Sequence, residues 1–186
     1  ATSSTAAGQI NPGGTATAPV PASVITRSDA EDPATAIRVT AFPTNATSIT
    51  LNGIVYPAAT FPPGGVIVPA ADLAGIVVDP VDGSVNVTIP FVARDAANQE
   101  SAPATATVPF TGLSVSGTVF NDANGLTDGT INGTATEGSP SLTAYLTNAA
   151  GNVVAVSDVI PAGTYAFNNV TPGTYSVVLS NTAGVA

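Results

Sequence analysis

The sequence contains no His, Cys, Lys, Met or Trp. Each absence removes a class of chemistry. Without His, Cys or Lys, the usual general base, thiol nucleophile and Schiff-base amine are missing. Neither a Ser-His-Asp triad nor a zinc site with nitrogen or sulfur ligands can be written. Paired carboxylates or a hard-cation site are what remain, and no carboxylate pair is singled out as an acid–base couple. The chain reads as a non-enzyme. The lack of Cys excludes disulfides without identifying a compartment.

Positive charge is nearly as scarce. Arg27, Arg38 and Arg94 stand against 12 acidic residues, for a net charge of −9. Phosphate repulsion makes nucleic acid an unfavourable partner. No apolar run reaches the roughly 18 residues that suggest a membrane-spanning helix, and no signal-peptide pattern opens the chain. A start of Ala1-Thr2-Ser3-Ser4 reads as a mature secreted product or, equally, as an excised fragment. An acidic surface rich in Thr, Ser and Asn suits an extracellular or cell-surface polymer, or a cation binder. With no Trp, and with four Tyr that read as core plugs, a carbohydrate-stacking face is weakly encoded.

What the chain does have is turn chemistry and small apolar residues. The 18 Gly and 16 Pro are spread along it, setting a turn every eight to twelve residues or so. Apolar residues make up 44%, much of it Ala and Val, with six Phe. No long stretch has helical periodicity. These features predict an all-β chain whose length accommodates two tandem β-sandwich domains of about 80 to 100 residues each.

Residues 1–22 (ATSSTAAGQINPGGTATAPVPA) have the composition of a linker or arm. The arm is expected either to reach a neighbouring subunit or to pack along its own domain. Residues 23–112 hold strand-like runs at Ala36–Phe42, Ser48–Leu51, Ile54–Tyr56, Val66–Val68, Ile76–Val78, Val85–Ala93 and Thr105–Phe110. Asn52-Gly53 between two of them is the strongest short hairpin signal, because both central residues accept positive φ. Pro90 inside Val85–Ala93 argues for an edge strand or a bulge. Thr111-Gly112 is the best boundary. In residues 113–186, Val115–Phe120, Ser141–Leu146 and Val153–Val159 read as strands. Tyr165 and Phe167 alternate on a further strand, and Tyr175, Val177 and Leu179 on the last, with Thr171-Pro172-Gly173 predicted to join these two as a hairpin.

The run AGTYAFNNVTPGTYSVVLS, behind the opening SGTVFNDANGLTDGT, resembles the Cna-B and SD-repeat B-like domains, small sandwiches that build stalks of bacterial surface proteins. The first domain is more loosely similar to cadherin-like and Ig-like repeats of large surface proteins, through NGIVYPAATFPPGGVIVPAADLAGIVVDP and VTIPFVARDAANQESAPATATVPF. The resemblance implies load-bearing and spacing, not catalysis. Many Cna-B-like domains carry a Lys–Asn isopeptide bond, which a Lys-free chain cannot form. The resemblance also places Asp122, Asn124 and Asp128 as Ca²⁺ ligands, although this loop lacks an Asp-Gly found in the middle of the family's version.

Read from the residues alone, Asp122, Asn124 and Asp128 offer hard oxygen ligands around Gly125, while an Asx-rich turn of this kind forms without metal. Asp29, Glu31 and Asp32 make a second acidic run, which is either a cation site or a solvated loop. Asp79, Asp82 and Asp95 are candidates to join it in space. The sequence-based expectation is a secreted structural subunit that associates with other copies of itself in a polymer, with strand addition by Thr15–Ile25 or the C-terminal strand as one mechanism. Pro12, Pro19 and Pro21 weaken that donor unless the register avoids them. The alternative is an adhesin module or accessory domain that binds glycan or a host protein.

Overall fold

The computed structural model describes residues 1–27, 34–122, 130–131, 133–138, 141–160 and 162–182. Their secondary structure is strand, apart from short 3₁₀ segments at Ala22–Val24, Ala58–Thr60 and Ala70–Gly75. No described helix is long and apolar enough to cross a membrane. The chain divides into two compact units, Ala1–Gly112 and Leu113–Ala186.

The first unit contains β1 (Ser4–Thr5), β2 (Gln9–Ile10), β3 (Ala18–Pro19), β4 (Ala36–Val39), β5 (Ala46–Leu51), β6 (Ile54–Pro57), β7 (Val66–Pro69), β8 (Val77–Pro80), β9 (Val85–Arg94) and β10 (Ala104–Thr111). One sheet runs β1-β10-β9-β4-β7, with β2 also on β10, and a second runs β3-β8-β5-β6. Asn52 and Gly53 take φ of 53° and 75°, so the two-residue turn matches the twist of β5 and β6 and pairs Leu51 with Ile54. Alternation then sends Val87, Ile89 and Phe91 of β9 inward, with Ile37 and Val39 of β4 beside them. Ile49, Leu51 and Val78 of the other sheet join the same buried cluster. Full burial of each such side chain contributes about 1.5–3 kcal/mol.

The low-complexity arm forms part of this unit. β1 and β2 pair in parallel with β10, and β3 pairs antiparallel with β8. Ala18, Val20, Val24 and Ile25 sit in the core. A single strap thus covers an edge of each sheet. Its prolines obey the ladder. Val20 N–H donates to the Ile76 carbonyl at 3.0 Å, so Pro19 and Pro21, one residue to either side, lie in the phase that points away from β8.

Two further prolines show how the sheet tolerates a missing donor. Pro90 lies in β9, which has β10 on one side and β4 on the other, so the expectation of an edge strand is corrected. Its carbonyl accepts from Thr40 N–H at 3.0 Å. Its absent N–H therefore faces the same side, opposite Thr40, so this pair keeps one of its two possible bonds and β4 ends beside it at Val39. Pro109 of β10 faces the strap. Ala6 N–H donates to Thr107 O and Asn11 N–H to Thr111 O, and the pairing breaks at Ala7–Gly8 between them, opposite the missing donor.

The second unit contains β11 (Leu113–Thr118), β12 (Phe120–Asn121), β13 (Thr134–Ala135), β14 (Thr143–Asn148), β15 (Val153–Asp158), β16 (Thr164–Val170) and β17 (Tyr175–Ser180). The sheets are β11-β16, β12-β13 and β15-β14-β17. The predicted β16–β17 hairpin is not formed. These consecutive strands belong to different sheets, and the Thr171–Gly173 connection crosses between them. The Tyr175 hydroxyl donates to the Thr171 carbonyl at 2.9 Å and lies 2.9 Å from Thr171 Oγ1, which ties the ring back over the turn. Ala144, Leu146, Val159 and Phe167 form the buried cluster, with Val115, Tyr165, Tyr175 and Val177 against it. Gly117 stands opposite Tyr165 in the β11–β16 register. A Cβ there would lie 2.4 Å from the Tyr165 hydroxyl, so the ring occupies the space that glycine leaves.

Candidate functional site

Of the acidic candidates, Asp122, Asp79, Asp82 and Asp95 are described, whereas Asn124, Asp128, Asp29, Glu31 and Asp32 lie outside the described residues. Asp122 follows β12 and is half-buried. Asp79, on β8, is buried at 6% exposure, and its Oδ1 has no hydrogen-bond partner among the described residues. Asp82 Oδ1 accepts the Gly14 N–H at 2.7 Å, which fixes the strap. Asp95 Oδ1 accepts the Gln99 N–H at 2.8 Å and shapes the turn after β9. Asp82 and Asp95 sit before and after ten-residue β9, roughly 30 Å apart at strand rise. The structure therefore does not bring Asp95 to Asp82. Among the described residues no group of three or more acidic side chains is placed to hold a metal ion.

The charged cluster that does form was not foreseen. Arg38 Nε donates to Glu100 Oε1 at 2.8 Å and its Nη2 to Oε2 at 2.5 Å, a two-point fork that suits a carboxylate. Arg94 Nε is 3.4 Å from Glu100 Oε1 but is buried without an aligned hydrogen bond. It adds charge and no directed bond. Hydrogen bonding from Arg38, assisted by the charges of Arg38 and Arg94, holds the Glu100 carboxyl below the usual carboxylate range. Arg27 Nη1 donates to the Ala34 carbonyl at 3.2 Å. The arginines thus pin segments of the first unit. Sequence gave no signal for the cluster, because Arg38 and Glu100 are 62 positions apart.

The strap is anchored by Asn11, buried at 2% exposure. Its Nδ2 donates to Val81 O at 2.8 Å and to Gly83 O at 2.7 Å, and its Oδ1 accepts Gly13 N–H at 2.9 Å. All three polar valences of the amide that face the protein are used.

Two of the concavities in the second unit adjoin β11 and β16. The larger, about 460 Å³, is lined by Ser116, Thr118, Ser157, Asp158, Thr164 and Tyr165, among others. It lies where β15 and β16 approach, and there Ala166 N–H donates to Ser157 Oγ at 3.3 Å. The other, about 320 Å³, is apolar and lined by Val119, Phe120, Ile131, Tyr165, Val177 and Leu179, with Thr118 and Asp122. It opens between β11 and β17, each of which has one strand neighbour among the described residues. Leu179 and Phe120 stay 42% and 44% exposed there, although Leu179 pairs in register with fully buried Ala144. An open apolar seam therefore runs along one side of this unit.

No protein-family model and no curated protein sequence matches the chain at a significant level.

Proposed function

We propose that the chain is a non-catalytic structural subunit of a secreted or cell-surface filament, pilus-like fibre or adhesin stalk. In this reading it comprises two tandem β-sandwiches, the first cadherin-like or Ig-like and the second Cna-B or SD-repeat B-like. Copies assemble without covalent links. The observation that carries the reading is the strap, Ala1–Ile25: a 25-residue segment without a charged side chain that adds edge strands to both sheets through main-chain bonds. Such pairing is the chemistry of strand addition. Contacts in which one surface gives and another receives can propagate into a fibre.

The chemistry of the rest agrees with this reading. There is no His, Cys or Lys to act as base or nucleophile. Copies bearing −9 each repel one another, and Ca²⁺ held by Asp122, Asn124 and Asp128 would offset part of that charge. Negative-stain electron microscopy with and without a calcium chelator tests the reading. Regular fibres are expected in calcium, with loss on chelation. Separate particles at high concentration in both conditions would overturn it. A second reading, a glycan-binding module, draws on the hydroxyl-rich hollow around Ser116, Ser157 and Tyr165. It predicts a monomer that scores on a glycan array and loses that binding with Asp158→Ala.

A further inference from the structure

We infer that the strap, Ala1–Ile25, is the segment exchanged between copies, and that its acceptor is the pair of edges on β10 and β8 of a second copy's first unit. This inference rests on the filament reading and names its donor and its acceptor.

The first argument is complementarity. Taking the strap away would bare the outer edge of β10 and the edge of β8 together. It would also vacate the core positions of Ala18, Val20, Val24 and Ile25. A unit so opened has a defined vacancy, and the strap of another copy fits it with the same contacts. Exchange of an identical element between protomers is a low-cost route to association for this reason.

The second argument is charge. The chain carries −9 overall, yet the strap holds none of its 12 acidic residues. It is a segment that can enter another copy without adding like charge at the contact.

The third argument is that the acceptor reads the strap's sequence. Pro109 requires a break in pairing, met at Ala7–Gly8 between β1 and β2. The Val81 and Gly83 carbonyls require a donor amide where Asn11 arrives. The Ile76 carbonyl, just before β8, takes a donor at Val20 and leaves Pro19 and Pro21 outward. A strap out of register by one residue would put a proline against β8 and an apolar side chain against those carbonyls. Self-recognition is thereby built into the pairing.

The Cys-free chain makes the test direct. Pro19 and Val77 are register partners beside the bonded Val20–Ile76 pair, so they occupy the non-hydrogen-bonded position where side chains approach closest. Single variants Pro19→Cys and Val77→Cys are mixed, unfolded, refolded together in calcium and oxidised. Exchange predicts a disulfide between unlike chains, running along fibres seen by electron microscopy. The double variant Pro19→Cys/Val77→Cys, oxidised as a monomer, is expected to lose assembly and to regain it on reduction. Fibres without the mixed disulfide, or fibres from the locked double variant, overturn the exchange and leave the filament reading standing. A cross-linked closed dimer without fibres supports the exchange and overturns the filament. Uncross-linked monomers throughout overturn both.

Discussion

In the first unit, twenty buried residues contributed by both sheets form one cluster. In the second, the corresponding cluster among the described residues holds four, Ala144, Leu146, Val159 and Phe167. Both units draw on Val, Ile, Leu, Ala and a few rings, so composition does not explain the gap. Edge closure does. The first unit has a strap that lies on an edge of each sheet and inserts Val20, Val24 and Ile25 between them. No described segment does this for β11 and β17 of the second unit, and inward-facing Leu179 remains in contact with solvent. A thin all-β unit is completed less by its central strands than by whatever occupies the gaps between its sheets.

The contrast can be broken most sharply at the ring positions. Phe91 is 1% exposed, and Phe91→Ala is expected to cost about 3–5 kcal/mol. Phe167→Ala in the smaller, open core should fall below that range. Urea unfolding of both variants decides, and equal losses would show that the second core is as closed as the first. Next in size is the strap's anchor. Asn11→Ala leaves the Val81 and Gly83 carbonyls buried without their donor, at a cost of about 1–3 kcal/mol. A loss near zero would mean that water replaces the amide and that the strap is held by its apolar side chains alone.

At the open seam the expectation is reversed. Leu179→Ser should change stability by no more than about 0.5 kcal/mol, as for an exposed position, while lowering the fluorescence of an apolar dye bound to the chain. A large destabilisation would show that the seam is packed. The effect at Glu100 is also small. Its carboxyl is depressed in the folded state by the Arg38 hydrogen bonds. The stability it contributes is therefore present above its unfolded value, about 4.3, and is lost as pH falls through the lower folded value. Glu100 is exposed and Arg38 half-buried, so about 0.2–1 kcal/mol is at stake. Thermal melts from pH 6 to pH 3 should show a shallower decline in Glu100→Gln than in the parent chain.

Local signals in the sequence were the most legible. Asn52-Gly53 specifies its hairpin because the conformational demand and the residues that meet it are adjacent. The alternation in Val85–Ala93 marks β9 because one face is buried. Pairing between distant strands left weaker traces. Tyr165, Phe167, Tyr175 and Val177 all face inward, but alternation gives the face and not the neighbour, so strands in two sheets read as a hairpin. Pro90 misled because a proline rules out one ladder bond, and the sequence cannot say whether a partner stands there. The strap was the hardest to read. Its side chains are small and its pairings are two residues long, so composition suggested a linker where contacts with β8 and β10 supply the order. For the candidate cation ligands, sequence proximity placed Asp79 near Asp82, while the length of β9 separates Asp95 from both.

The interruption at Ala7–Gly8 divides the strap's hold on β10 into two patches with no continuous ladder between them. Opening one patch does not oblige the other to open. The amide hydrogen of Ala6, bonded to Thr107, and that of Asn11, bonded to Thr111, should then exchange with solvent by separate openings. The first patch is held by the hydroxyls of Ser3 and Ser4, through Thr105 N–H and the Val24 carbonyl, and is expected to open without the second. The second is held by the buried Asn11 amide on the β8–β9 turn and is expected to open together with that turn. Pro109 would set the order of detachment: the end of the strap leaves first, and Asn11 is the last point on β10 to let go.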